Sequence, residues 1–311
     1  MPSVELDRRP GLAASYASAL LPRRRGTELP DDELVLPRLA VDRTHLAGYE
    51  RVCGFPRTDR LPATYLQVLA FPLAMRLMAG RRFPFPLPGL VHVRNRVELL
   101  RPVDADEPVT LRVRAEALAP HRRGTTVDLV TRASARDGEV YVARATYLRR
   151  GPTLGEVSGS GDGGGGDNSG EADAPVSTAT DTGTEPRSDG EPERGAEPVP
   201  PGAVWSLPAG LGRRYAAVSG DRNPIHLSRL TARPFGFRTA IVHGMWSAAR
   251  CLAALEGRLP EALAADVCFV RPVRVPGRVA FGARPAGEGW EFAVSAPRSG
   301  RTLVAGRVEP R

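Results

Sequence analysis

The sequence predicts an α+β fold built from two copies of one unit, each a helix followed by a run of antiparallel strands. Three observations carry this reading. An ungapped shift of 170 residues lays VELLRPVDADEPVTLRVR (97–114) over VCFVRPVRVPGRVAFGAR (267–284), so that Arg101-Pro102-Val103 falls on Arg271-Pro272-Val273. Self-similarity at a fixed offset is the mark of an internal duplication. Each copy also reads first as apolar positions at helical spacing and then as short runs rich in β-branched residues. Between the copies, residues 151–203 hold almost no large apolar side chain, and such a stretch buries too little to offset the entropy of ordering it.

Taken in order, residues 1–31 are an N-terminal extension with a short apolar stretch from Leu12 to Leu21, at most one short helix, and the basic cluster Arg23-Arg24-Arg25. No chemistry is assigned to it. The first repeat spans 32–150. A strand is expected at Glu33–Val41, where apolar residues alternate around Pro37. Leu66, Leu69, Ala70, Leu73 and Leu77 then recur at steps of three and four, which predicts a core helix that Pro72 should kink or divide. After the turn-rich stretch 83–89, strands are expected at Val91–Val103, Val109–Ala117, Thr125–Ala133 and Val140–Leu148, with Asp137-Gly138 as one of the turns. His92 and His121 have no companions in the sequence and read as structural or exposed.

The segment 151–203 reads as a disordered Gly/Pro/acidic linker, with 11 acidic residues against two arginines. Its net charge is −9, and since the chain as a whole is +8, the remainder is +17. All 43 basic residues are arginine, which with the abundant Ala, Gly and Pro suggests a compositionally biased genome more than a functional demand; they are scattered and without a nucleic-acid motif, a phosphate-bearing or acidic carrier explains a basic rim equally well, and nucleic acid is not expected. The three cysteines, Cys53, Cys251 and Cys268, have no metal-ligand spacing; no disulfide framework or metal site is expected, and a reducing, cytoplasmic setting fits. No apolar run reaches the roughly 18 residues of a membrane span, and Glu5, Asp7, Arg8 and Arg9 ahead of the first apolar stretch do not resemble a secretory signal.

The second repeat, 204–311, carries the chemistry. Its helix is expected over Ile241, Met245, Ala248, Leu252 and Leu255, and its strands near Ala264–Val273, Arg278–Arg284, Trp290–Ser295 and Thr302–Val308. Ahead of that helix runs YAAVSGDRNPIHLSRLTARPFGFRTAIVHGMW (215–246). Asp221 and His226 stand five residues apart, and Asn223-Pro224 between them disfavours a regular helix. A tight turn aiming both side chains into one cavity is therefore expected. His243-Gly244 opens the following helix, where unpaired backbone amides can face a developing oxyanion. A shift of about 175 brings Tyr65–Ala79 over Ala240–Ala254 and sets His243-Gly244 on Val68-Leu69, so the first repeat lacks both the Asp-Asn-Pro-His turn and the His-Gly helix start.

The run Ser219-Gly220-Asp221-Arg222-Asn223-Pro224-Ile225-His226, with Gly236-Phe237 and Ile241-Val242-His243-Gly244-Met245, resembles the signature of the MaoC-like hydratases and dehydratases. The match covers about thirty residues. The resemblance implies a hot-dog fold and reversible hydration of trans-2-enoyl thioesters to (3R)-3-hydroxyacyl thioesters. It places water activation on Asp221 and His226, and binding of the thioester oxygen on the Gly244 amide. Two units with the motif in the second only look like the double-hot-dog members, as found in actinobacteria, in which two antiparallel sheets each wrap a long central helix and the degenerate half widens the acyl tunnel. The long acidic segment is no part of that pattern.

The reaction needs donors for charge on the thioester oxygen, together with an acid and a base for C2 and the C3 hydroxyl. Gly244, Asp221 and His226 supply them, with Asn223 and His243 in support, and no metal or other cofactor is called for. The expected partner is an acyl thioester of coenzyme A or acyl carrier protein, with Arg271, Arg298 and Arg301 as candidates for the carrier's phosphates. The expected assembly is a monomeric double hot-dog or a homodimer of it. The alternatives are a non-catalytic acyl-thioester-binding subunit, which would lack one proton-transfer residue, and a hot-dog thioesterase, which would release a free acid.

Overall fold

A computed structural model describes residues 2–20, 26, 28–151 and 199–311. The segment read as a linker falls, from 152 to 198, outside the described residues.

The first half comprises β1 (Ser3–Glu5), α1 (Leu12–Leu20), β2 (Glu33–Leu39), α2 (Arg43–Cys53), α3 (Tyr65–Met78), β3 (Leu90–Leu99), β4 (Val109–His121), β5 (Gly124–Ala135) and β6 (Gly138–Arg150). The second comprises β7 (Ala203–Leu207), α4 (Leu211–Ser219), α5 (Pro224–Leu227), α6 (Arg229–Ala232), α7 (Gly244–Ala254), β8 (Leu263–Phe269), β9 (Gly277–Ala286), β10 (Gly289–Ser295) and β11 (Thr302–Pro310). The strands form one sheet in the order β1-β2-β4-β5-β6-β3-β8-β11-β10-β9-β7. From β2 to β3 and from β7 to β8 the order is the same list read from opposite edges, which makes this the double hot-dog expected from the sequence. The halves join where β3 pairs antiparallel with β8, from Arg94↔Cys268 to Leu99↔Leu263. Arg94 reinforces this seam with a two-pronged bond to Asp266, at 2.9 and 2.5 Å, a geometry suited to a guanidinium.

The strand positions follow the β-branched runs closely, because alternate residues such as Val109, Leu111 and Val113 are buried under the helices. α3 runs unbroken through Pro72, so proline neither divides the helix nor ends it; its neighbours Leu69, Ala70, Leu73 and Ala74 are all buried, and burial of that face outweighs the lost backbone donor.

The pairing of the two helix starts differs from the sequence expectation. Leu61 N–H donates to Val103 C=O just as Val242 N–H donates to Val273 C=O, and Ala105 N–H donates to Asp59 C=O just as Val275 N–H donates to Ala240 C=O. These bonds set His243-Gly244 opposite Pro62-Ala63, not Val68-Leu69. An apolar stripe repeats every three or four residues and fixes register poorly, whereas the backbone bonds fix it uniquely. The strand shift of 170 stands, since Val103 and Val273 are partners in this scheme.

α2 and α4 pack against each other across the same axis. Each ends on a left-handed glycine, Gly54 (φ 85°) and Gly220 (φ 76°), and each presents a fully buried tyrosine, Tyr49 and Tyr215, with ring centres 6.3 Å apart. No helix among the described residues is long and apolar enough to cross a membrane.

Candidate active site

The site is built on the link between α4 and α7. α4 ends at Gly220, whose positive φ turns the chain sharply, and Asp221 follows at once. Its backbone N–H donates to Ser219 Oγ (3.1 Å), and its carboxylate accepts from Asn223 N–H (3.1 Å). Asn223 caps α5 through its side chain, which accepts from Ile225 N–H at 3.3 Å, and Pro224 takes the first helical position. The proline therefore starts a short helix where the sequence reading expected a turn without one; at that position its missing N–H costs nothing. His226 rides on this helix turn.

His226 is buried, and its Nδ1 donates to the Ile241 carbonyl at 2.8 Å. Ile241 N–H in turn donates to Ile225 C=O at 3.0 Å, so α5 is stitched to the stretch leading into α7. With Nδ1 engaged, Nε2 is left as the proton acceptor. α4 is packed hard against α5: a Cβ at Gly212 would lie 1.9 Å from the His226 carbonyl oxygen. His243, the residue before α7, stacks on His226 with ring centres 3.8 Å apart and donates from Nε2 to the Asp221 backbone carbonyl at 2.9 Å. Burial lowers the pKa of His226, against the opposing pull of the Asp221 charge. Burial and the neighbouring His226 press His243 down to about 3. Both rings are neutral at neutral pH.

Asp221, His226 and His243 offer ligand atoms within 4.8 Å of one another, a grouping in reach of a metal ion. One nitrogen of each ring is already spent on a carbonyl, and face-to-face rings do not converge their in-plane lone pairs on one point as a metal requires. The donor set fits proton exchange better than coordination.

These side chains line a cavity of about 180 Å³ together with Gly244 and Met245. Gly244 is the first residue of α7, and a Cβ there would come within 2.9 Å of the Phe269 ring. Asn223 and His243 also reach the cavity, while their bonds show them bracing the turn. Of the three arginines expected near a carrier, Arg271 lines the cavity and donates to Thr302 C=O at 2.8 Å. Arg298 and Arg301 lie exposed on the β10–β11 turn, outside the lining.

Six residues were not foreseen at the site. Tyr16, on α1, reaches the Asp221 turn: its hydroxyl donates to Gly220 C=O (3.2 Å), accepts from Arg222 N–H (2.6 Å) and lies 3.5 Å from the Asp221 carboxylate. The N-terminal extension therefore clamps the site, and burial, with the Asp221 charge, raises the Tyr16 pKa. His92, read from sequence as structural or exposed, lines the same cavity, as do Gln67 and Tyr147 of the first half. The exposed Arg123 and Arg150, also of the first half, border it. No sequence signal marked them, since the packing of the two halves through β3–β8 and the helices brings them to the site.

A family model described as MaoC like domain matches residues 210–292, and the chain belongs to the MaoC-like dehydratase family. It is 34% identical over 280 residues to 3-hydroxyacyl-thioester dehydratase X of Mycobacterium tuberculosis, covering 90% of this chain and 89% of that one. The crystal structure of HtdX from the same organism superposes with a TM-score of 0.72 at 30% identity, over 90% of this chain and 100% of that one. A MaoC-like dehydratase from Phytophthora capsici shares the fold at a TM-score of 0.67, with 16% identity over 94% of this chain and 98% of that one.

Proposed function

We propose that this chain reversibly adds water to trans-2-enoyl thioesters, and in the other direction dehydrates (3R)-3-hydroxyacyl thioesters, in fatty-acid metabolism. The observation that supports this reading most is the convergence on one cavity of the Asp221 carboxylate, the His226 ring and the start of α7 at Gly244. The likeness to a 3-hydroxyacyl-thioester dehydratase over nearly the whole chain supports it as well.

In this mechanism the thioester oxygen accepts a hydrogen bond from Gly244 N–H at the positive end of α7, which stabilises the enolate-like charge. Asp221 and the unprotonated His226 Nε2 hold one water. Its hydroxyl adds to C3 while its proton passes to one of the pair, and a proton is delivered to C2 from the same side. Dehydration runs the steps backwards. Carbon–hydrogen and carbon–oxygen bonds form from a single water, so no redox change occurs. His243 and Asn223 hold the two groups in place. Coenzyme A or acyl carrier protein would deliver the substrate, with Arg271 at the cavity and Arg298 and Arg301 on the neighbouring turn as phosphate contacts. The catalytic unit is one chain carrying both halves, alone or as a homodimer.

Purified protein mixed with crotonyl-CoA should remove the enoyl absorbance without releasing thiol. Thiol release would make it a thioesterase; binding with neither signal would make it a carrier subunit. Either outcome rejects the proposal.

A further inference from the structure

Arginine gathers at the end of the sheet where β3 begins, β6 and β8 end and β4 turns into β5. Two of these strand ends repeat one tripeptide, Arg122-Arg123-Gly124 at the β4–β5 turn and Arg149-Arg150-Gly151 at the end of β6. They lie side by side: Gly124 pairs with Arg150, and Gly151 N–H donates to Arg123 C=O at 3.2 Å. Glycine permits that approach. A Cβ at Gly124 would fall 2.0 Å from the Arg149 carbonyl oxygen, and Gly124 and Gly151 both have positive φ, 141° and 138°. Arg271, just beyond β8 in the catalytic half, is tied to the same end by its N–H, which donates to Leu303 C=O at 3.0 Å.

Arg123, Arg150 and Arg271 are exposed, yet all three line the cavity that holds Asp221 and His226. Arg271 donates from Nη1 to Thr302 C=O at 2.8 Å, and no ion pair joins any of the three to an acid among the described residues. The arginines of the adjoining sheet surface differ. Arg144 bonds Asp128 and Glu116, at 2.8 and 2.9 Å, and Arg132 bonds Glu139 at 2.7 Å. No acidic residue occurs between Glu116 and Asp128 or between Glu139 and Glu156, so both tripeptides sit in stretches of chain whose only charge is positive.

Charge placed in this way suits one kind of ligand. The rest of the lining is largely apolar, with Val68, Phe71, Leu90 and Val93 among it, and the Asp221 carboxylate repels an anion. An anionic group therefore stays at the rim while the uncharged part of the same molecule enters. A guanidinium carries five N–H donors in a planar fork that matches phosphate oxygens, and these three arginines keep most of theirs unspent.

We propose that Arg123 and Arg150 of the non-catalytic half, with Arg271 of the catalytic half, form a phosphate subsite at the cavity rim that holds the end of the substrate's pantetheine arm. The ligand chemistry is a phosphate ester. Such an arm ends on a phosphodiester in acyl carrier protein, and on a diphosphate with a further ribose phosphate in coenzyme A. Carrier recognition then falls to the half without the Asp-His pair, and not to Arg298 and Arg301, which lie outside the lining. The inference rests on the enoyl-thioester reading of the cavity, but its test does not involve turnover.

The test is calorimetric binding of unreactive S-butyl thioethers of pantetheine, phosphopantetheine and coenzyme A to the full-length protein. Wild type should bind a phosphate-bearing ligand at least about fivefold more tightly than the pantetheine one, and most of that gain should vanish in about 0.5 M salt, as for screened surface pairs. Arg123→Ala and Arg150→Ala should each weaken the phosphate-bearing ligand about threefold, and the double variant about tenfold, while the pantetheine ligand stays within about twofold. Lysine at either position should recover part of the loss, since it keeps the charge without the fork. A gain that arrives with the first phosphate assigns the subsite to the arm's own phosphate, common to both carriers; a gain confined to coenzyme A assigns it to the nucleotide end. Equal affinities of wild type for all three ligands, or a gain unchanged in the double variant, would overturn the proposal. The altered side chains are exposed, and melting temperatures close to wild type confirm that the variants fold. No binding of any of the three would remove the thioester reading and this inference with it, whereas failure of the crotonyl-CoA assay with the phosphate preference intact would count against the dehydratase reading alone.

Discussion

The two halves of this chain share strand order, helix packing, matching backbone bonds at the helix starts and paired tyrosines on the axis between them. They differ in one link. Leu61 follows Gly54 by seven residues, whereas Val242 follows Gly220 by 22. The longer link holds α5, α6, Asp221 and His226, and it closes on the same backbone bonds as the shorter one. The scaffold thus tolerates a long insertion at the end of a capped helix, where adding residues to a loop costs little, and both Asp221 and His226 lie on it. The first half supplies what an insertion cannot: a partner for the β8 edge, and a cavity wall.

The largest expected effect is loss of the residues that the short link lacks. Asp221→Asn and His226→Ala should each lower kcat/KM for enoyl thioesters by about 10³-fold, the scale of a lost acid–base group. The double variant should be little worse than either single one, as for groups that act as a unit. Arg57→Ala, in the corresponding exposed link of the first half, should leave turnover within about twofold, because it touches no proton-transfer group. Steady-state rates with folded protein check this, and near wild-type turnover from either dyad variant would refute the assignment.

A smaller effect is expected where the N-terminal extension meets the insertion. Tyr16→Phe removes the hydroxyl that bridges Gly220 C=O and Arg222 N–H on either side of Asp221. A mispositioned acid–base pair should lower kcat about three- to tenfold with KM unchanged, and stability should fall by about 1 kcal/mol for the lost bonds. A fall in melting temperature with kcat intact would mean that the tyrosine only packs.

The sequence made the strands and the turn that joins Asp221 to His226 legible for the same reason: their signals are local. β-Branched runs mark β4, β5 and β6 within a few residues, and Asp221, Asn223 and His226 sit on one short stretch whose turn chemistry is self-contained. α2 went unread because Leu46, Tyr49 and Cys53 are a sparse stripe in a polar segment with Gly48 in its middle, and α4 is only nine residues long. Tyr16 lies 205 residues from Asp221, and His92 reaches the cavity only because β3 pairs with β8. Contacts made by the whole fold leave no mark in a window of the chain.

The smallest effect separates the two halves by pH. Three histidines share the cavity, His92 from the first half and the buried His226 and His243 from the second, and desolvation lowers the pKa of each. Unfolded histidine takes up a proton near pH 6.5, so above that pH neither state gains. Below it the unfolded chain binds protons that the folded sites refuse, and stability falls as the pH drops toward the folded values of about 4 for His92 and about 3 for His243. Each ring contributes a slope of up to about 1.4 kcal/mol per pH unit. Denaturant melts between pH 6.5 and 5 should therefore lose stability steadily. His92→Phe should flatten part of that loss, since one of the four histidines whose pKa the fold lowers no longer titrates on unfolding. An unchanged slope in that variant would mean that His92 is already accessible to protons in the folded state, and that the first half does not seal its side of the cavity.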